Sequence, residues 1–135
     1  MGTDFSVFEY LYRDAGNYKV WGKILIAGTA TTDEMATLLS CLEVDGLFVA
    51  EQVGIPVLYQ ELWKFSGGRT EEDHAYHEFF ELRPAIEEET VSLPLWSSLK
   101  YLLEVFNTVN QNWNCALSMN SSHRALRKGS TARIP

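Results

Sequence analysis

The densest group of side chains able to do chemistry is Asp73-His74-Ala75-Tyr76-His77-Glu78, where two imidazoles three residues apart stand among carboxylates. Imidazole nitrogens and a carboxylate oxygen form a donor set for a divalent ion such as zinc or manganese. His74, His77 and Glu78 are therefore a candidate metal triad, and a small metal-dependent enzyme is the activity they would serve. Local structure decides whether they can act together. On a helix the i, i+3 histidines share a face, whereas on a strand they point to opposite faces. The pattern is not HExxH. The plainer reading is a polar rim with one histidine held in a hydrogen bond.

Other catalytic signals are thinner. Cys41 and Cys115 lie far apart without CxxC spacing, and Cys41 falls on the apolar side of a predicted helix, where a thiol behaves as a small hydrophobe. Such sparse cysteine use points to a reduced, cytoplasmic protein rather than a disulfide scaffold. No GxSxG elbow occurs, and Gly67-Gly68 lacks the GxxxxGK[ST] pattern of a phosphate loop. Nothing selects a catalytic pair among the 18 acids. The expectation is a non-enzymatic protein without a cofactor.

The third group is aromatic. Tyr12, Arg13, Asp14, Tyr18, Lys19 and Trp21 combine flat contact area with polar tips, the composition of interface hot spots. These six are the candidate binding residues. The competing reading places the tyrosines and Trp21 in the core and at its border.

The elements that would position these groups follow from periodicity. Phe8, Tyr10 and Tyr12 share one strand face, as do Tyr18, Val20, Gly22, Ile24 and Ile26. Asp14-Ala15-Gly16-Asn17 between them has turn chemistry, so Phe8 to Gly28 reads as an N-terminal β-hairpin. Thr31 with Glu34 predicts a capping box, and Met35, Leu38, Leu39 and Leu42 form a helical stripe ended by Asp45-Gly46. Leu47-Phe48-Val49 is too short to assign. Pro56 suits a helix start with Leu58, Leu62 and Phe65 on one face. Residues 70–82 read either as a helix opened by Thr70, with Tyr76, Phe79 and Phe80 as its stripe, or as a third strand over 74–82 with His74, Tyr76, Glu78, Phe80 and Leu82 on one face. The aromatic content and Pro84, which disfavours helix at Arg83, favour the strand. Glu87-Glu88-Glu89 reads as a solvated linker or the lead-in to a turn. Trp96, Leu99, Leu102, Leu103, Phe106, Val109 and Trp113 predict one long amphipathic helix, buried on the sheet or at a homodimer seam.

The expected fold is α+β: a small antiparallel sheet led by the hairpin, with two or three amphipathic helices packed on one face. It forms one domain over residues 1–117, followed by a basic, Ser-rich, mobile tail over 118–135. The chain has a net charge of −7. Residues 1–117 hold all 18 acids and 7 of the 11 Lys and Arg, a balance of −11, and the tail carries +4. So acidic a body repels a phosphate backbone, which makes nucleic acid a poor ligand. No apolar run approaches the roughly 20 residues needed to span a bilayer.

Taken together, YRDAGNYKVWG, FVAEQVGIP and SGGRTEEDHAYHEFFELRP resemble blocks found in the same order in a group of small uncharacterised bacterial proteins. The resemblance spans roughly residues 5 to 90. It implies a bacterial origin and a compact α+β domain, and it carries over no catalytic residue. The functional expectation is a protein-binding or regulatory module of a bacterium, an inhibitor or neutraliser of a basic-surfaced partner, with a homodimer as an open alternative.

Overall fold

The structure, a computed structural model, describes residues 4–13, 18–60 and 76–114. Five strands form one sheet: β1 (Phe5–Arg13), β2 (Lys19–Ala27), β3 (Leu47–Phe48), β4 (His77–Pro84) and β5 (Leu95–Ser98), in the order β3-β4-β1-β2-β5. Among the described residues the helices with both ends defined are α1 (Thr32–Ser40), α2 (Ala50–Val53), α3 (Glu87–Ser92) and α4 (Leu99–Val109), and Tyr59 and Gln60 are also helical. The class is α+β, as the periodicities predict. The sheet is mixed rather than antiparallel throughout, because β5 joins the edge of β2 in parallel.

β1 and β2 pair antiparallel in unbroken register from Phe5↔Ala27 to Arg13↔Lys19. The predicted turn residues 14–17 lie outside the described residues. β1 is the central strand, flanked by β2 and β4, and this explains why it is apolar on both faces. Its even positions face the main core: Phe8 and Tyr10 pack with Ile24 and Ile26 of β2 and Leu82 of β4. Leu38 of α1, Ala50 and Val53 of α2, and Leu99, Leu102 and Phe106 of α4 cover that face. The apolar stripe of α4 is thus buried on the sheet of this chain. The helix also starts later than its pattern suggested: Trp96 stands on β5 and Trp113 beyond the C-terminus. Ser98 caps it, accepting from the Tyr101 N–H at 3.1 Å.

Local chemistry sets the other boundaries. The Thr31–Glu34 capping box forms, with Glu34 N–H to Thr31 Oγ1 at 3.1 Å and Thr31 N–H to Glu34 Oε1 at 2.9 Å. Of the predicted α1 stripe Leu38 and Leu42 are buried, while Leu39 is exposed. Residues 55–58 lie as a strap on the sheet, and the helix expected from Pro56 begins later, with Tyr59 and Gln60 helical; Leu62 and Phe65 fall outside the described residues. Ile55 anchors the strap in the core and donates its N–H to Ala50 C=O at 3.1 Å, and further contacts hold the rest. Tyr10 donates its hydroxyl to Pro56 C=O at 2.6 Å, and His77 Nε2 accepts from the Leu58 N–H at 3.0 Å. Leu58 also fills the space over Gly22, where a Cβ would stand 2.8 Å from its Cδ2.

The strand predicted over 74–82 is β4, beginning at His77, but its faces are not the expected ones. A bulge opposite Glu9 and Tyr10 leaves Phe80 as the extra residue, since Glu9 pairs with Glu81 and Tyr10 with Phe79. The bulge resets the alternation, so Leu82 joins Phe79 on the core side while Glu78 and Phe80 face away.

β4 and β5 are separated by β1 and β2, so the connection through α3 must pass over two strands. It passes over the odd face, opposite the other helices. Glu87-Glu88-Glu89, expected as a linker, opens α3, and Glu89 is buried. Its carboxylate accepts from Arg83 through both Oε1 (2.9 Å) and Oε2 (2.7 Å), from the Ile86 N–H at 3.0 Å and from Lys23 at 3.4 Å. Arg83 also donates to Glu9 at 2.9 Å. Arg83, the Ile86 amide and Lys23 together hold the Glu89 carboxyl down at about 2, from an ordinary 4.5. A carboxylate whose folded pKa is depressed stabilises the fold above its unfolded pKa and loses that contribution as pH falls through the folded value. We therefore expect Glu89→Gln to have a lower Tm than wild type at pH 6. Thermal melts should show the gap shrinking below about pH 4.5 and vanishing near pH 2.

Candidate functional site

The helix-side face is closed by α1, α2, α4 and the strap, and one end of the odd face is closed by α3. Among the described residues the turn-side half of the odd face remains uncovered, and an exposed aromatic contact lies there. Trp21 of β2 and Phe80 of β4 meet edge to face, ring centroids 5.1 Å apart, although β1 runs between their strands. The rings close over Leu11, which is register partner of Trp21 and only 3% exposed. They pay for that cover with their own surface, at 52% and 55% exposure. The bulge makes the contact available, because without the extra residue Phe80 would take the opposite face. Charged residues surround the pair: Lys19, Lys23 and Glu81 are exposed, and Arg13 donates to Glu78 at 2.9 and 3.2 Å.

The sequence-predicted binding residues divide. Arg13, Lys19 and Trp21 share the odd face of the hairpin. Tyr18 is 67% exposed at the start of β2, with the opposite parity. Tyr12 is fully buried on the helix side, where its ring meets Tyr59 at 5.7 Å and His77 at 5.3 Å. It belongs to the core, because even positions of β1 face the helices. Asp14 lies outside the described residues. Phe80 and Leu11 were missed. The signal for Leu11 was its odd parity with Trp21, whereas Phe80 depends on a bulge that alternation alone hides.

The predicted metal triad also divides. His77 is fully buried among Tyr10, Tyr12, Phe48 and Tyr59, with centroids 5.3–6.0 Å away. Since its Nε2 accepts from Leu58, the neutral ring carries its hydrogen on Nδ1. Glu78 points to the other face, into its ion pair with Arg13. His74 lies outside the described residues. Among the described residues no group of three or more His, Cys, Asp or Glu side chains is placed to hold a metal ion. Tyr59 donates its hydroxyl to the Glu51 carboxylate, giving the aromatic cluster a polar end. Cys41 is buried and free, and burial pushes its thiol up. It donates to Thr37 C=O at 3.3 Å, behaving as the small hydrophobe expected. Cys115 lies outside the described residues. No helix among the described residues is long and apolar enough to cross a membrane.

Comparison with protein-family models, with curated proteins and with solved structures finds no match to the chain. The functional argument rests on the geometry.

Proposed function

We propose that the protein is a non-catalytic protein-binding module, acting in a bacterial cytoplasm, whose contact surface is the turn-side half of the odd face. The observation that carries this reading is the Trp21–Phe80 pair: two large rings in mutual contact, both more than half exposed, ringed by charge. Aromatic residues with a polar rim are what protein interfaces concentrate, and a partner ordering this patch would dehydrate two rings already fixed by each other. The balance of −11 over residues 1–117 acts at longer range. It speeds encounter with a partner of basic surface, and inhibition or neutralisation of such a partner suits that charge.

The test compares immobilised wild type with Trp21→Ser/Phe80→Ser in bacterial lysate at moderate salt. Wild type should retain a saturable partner that the double variant loses. The variant remains folded by circular dichroism, at a cost of about 1–2 kcal/mol for uncovering Leu11. A partner retained equally by both proteins places the contact elsewhere. A purified protein that turns over a substrate and retains no partner defeats the reading.

A further inference from the structure

Among the described residues the sheet has two open edges, and they are built differently. β3 shields only His77 and Glu78 of β4, and the rest of that edge is interrupted by the Phe80 bulge, a device that discourages another strand from pairing. On the far side β5 shields only Leu25–Ala27 of β2. Pro94 reaches the Leu25 N–H, so among the described residues 19–23 are left as a regular edge, free of bulges and proline.

The hydrogen-bond phase of this edge can be read directly. Gly28 N–H donates inward to Asp4 C=O at 2.7 Å, whereas Leu25 N–H donates outward to Pro94 C=O at 3.4 Å. Inward and outward residues alternate along an antiparallel pair. The N–H and C=O groups of Lys19, Trp21 and Lys23 therefore point outward, and among the described residues no backbone group pairs with them. These same three residues carry their side chains on the odd face, beside Phe80.

We propose that this edge receives an extended peptide segment of the protein partner as a sixth strand, in line with β5. The proposal rests on the binding-module reading and specifies its mode. Strand addition takes affinity from main-chain hydrogen bonds and specificity from alternate side chains. Directly opposed residues share a face, so the incoming residue beside Lys19 is acidic and that beside Trp21 aromatic or aliphatic, while Lys23, which also donates to Glu89, favours a second acid. This is a local acidic strand on a partner whose wider surface is basic. A second copy of β2 is a poor occupant. An antiparallel register centred on Trp21 sets Lys19 against Lys23 twice. Sliding it two residues one way drives the incoming Lys19 into the place of Leu95, and sliding it the other way shortens the overlap. The lysines thus deter self-pairing while selecting an acidic strand.

The probe is the capped synthetic peptide Val-Glu-Val-Tyr-Val-Glu-Val added to the full-length chain. Binding should slow amide exchange at Lys19, Trp21 and Lys23, read by NMR. Of two N-methylated forms, one methylated at the Glu and Tyr nitrogens and the other at the Val nitrogens, only the form methylated on the hydrogen-bonding edge should lose affinity, by about tenfold or more. K19E, which leaves the Lys23–Glu89 contact intact, should lose a similar factor and gain binding to the Lys-for-Glu peptide. Equal affinity of both N-methylated forms, or saturation without protection of the three amides, overturns strand addition. So does the absence of binding by either charge version up to millimolar concentration. A lysate partner lost in Trp21→Ser/Phe80→Ser whose binding leaves those amides exchanging freely overturns strand addition alone and leaves the contact surface standing.

Discussion

Phe8→Ala is expected to cost about 3–5 kcal/mol, the range for emptying a buried aromatic site, and to bring the protein close to global unfolding. Phe8 is fully buried at the centre of β1, and its ring meets four others: Phe79 at 5.2 Å, Tyr10 at 5.6 Å, Phe48 at 5.9 Å and Phe106 at 6.1 Å. Those neighbours come from β4, β1, β3 and α4, so one truncation loosens the sheet and its covering helix together. Each aromatic pair adds roughly 0.5–1.5 kcal/mol beyond area burial. A domain of this size has only about 5–15 kcal/mol to lose. Urea unfolding read by tryptophan fluorescence measures the loss. Leu39→Ala, on the exposed side of α1, should stay within about 0.5 kcal/mol of wild type and serves as the control. A Phe8→Ala midpoint matching that control would show that the core does not centre on this ring.

His77→Ala should have the second-largest effect, again about 3–5 kcal/mol, for two separable reasons. The ring fills a fully buried site between Tyr10, Tyr12, Phe48 and Tyr59, so its removal leaves a cavity. Its Nε2 is also the acceptor for Leu58 N–H, and a buried donor left without an acceptor costs about 1–3 kcal/mol. His77→Phe separates the two: it restores volume but not the acceptor, so it should recover part of the loss and keep the hydrogen-bond share. Amide exchange adds a local reading. In His77→Phe the Leu58 amide should exchange faster than in wild type, with amides of α1 little changed. If His77→Phe matches wild type in both stability and Leu58 protection, the hydrogen bond does not hold the strap. The strap matters to the binding face as well, because Leu58 packs on Gly22 of the same strand that presents Trp21.

Local rules were legible wherever a few adjacent residues decide the outcome. The alternation of Phe8, Tyr10 and Tyr12 with Val20, Gly22, Ile24 and Ile26 predicted the β1–β2 pairing and its core face. Thr31 and Glu34 marked the start of α1, and Pro84 weighed correctly for strand at β4. Trp21, Lys19 and Arg13 were found from composition and parity, because a short polar connection between two alternating runs already places them on one face.

The remainder depended on contacts between residues far apart in the chain. No local pattern shows that β4 and β5 lie on opposite sides of the hairpin. That strand order makes α3 cross the sheet, and the contacts of Glu89 with Arg83 and Lys23 put the crossing on the odd face. The bulge at Phe80 is likewise a property of the β1–β4 pairing. It turned one residue of an apparent core strand outward, separated Glu78 and Phe80 from Leu82, and supplied Trp21 with its partner. Sequence by itself determined the α+β class, the leading strand pair and half of the candidate surface, since these follow from side-chain period and turn chemistry. Only the tertiary structure decided which strand edges stay open and which face stays bare among the described residues, and that Tyr12 and His77 lie in the core, because each depends on which distant segment arrives to cover it.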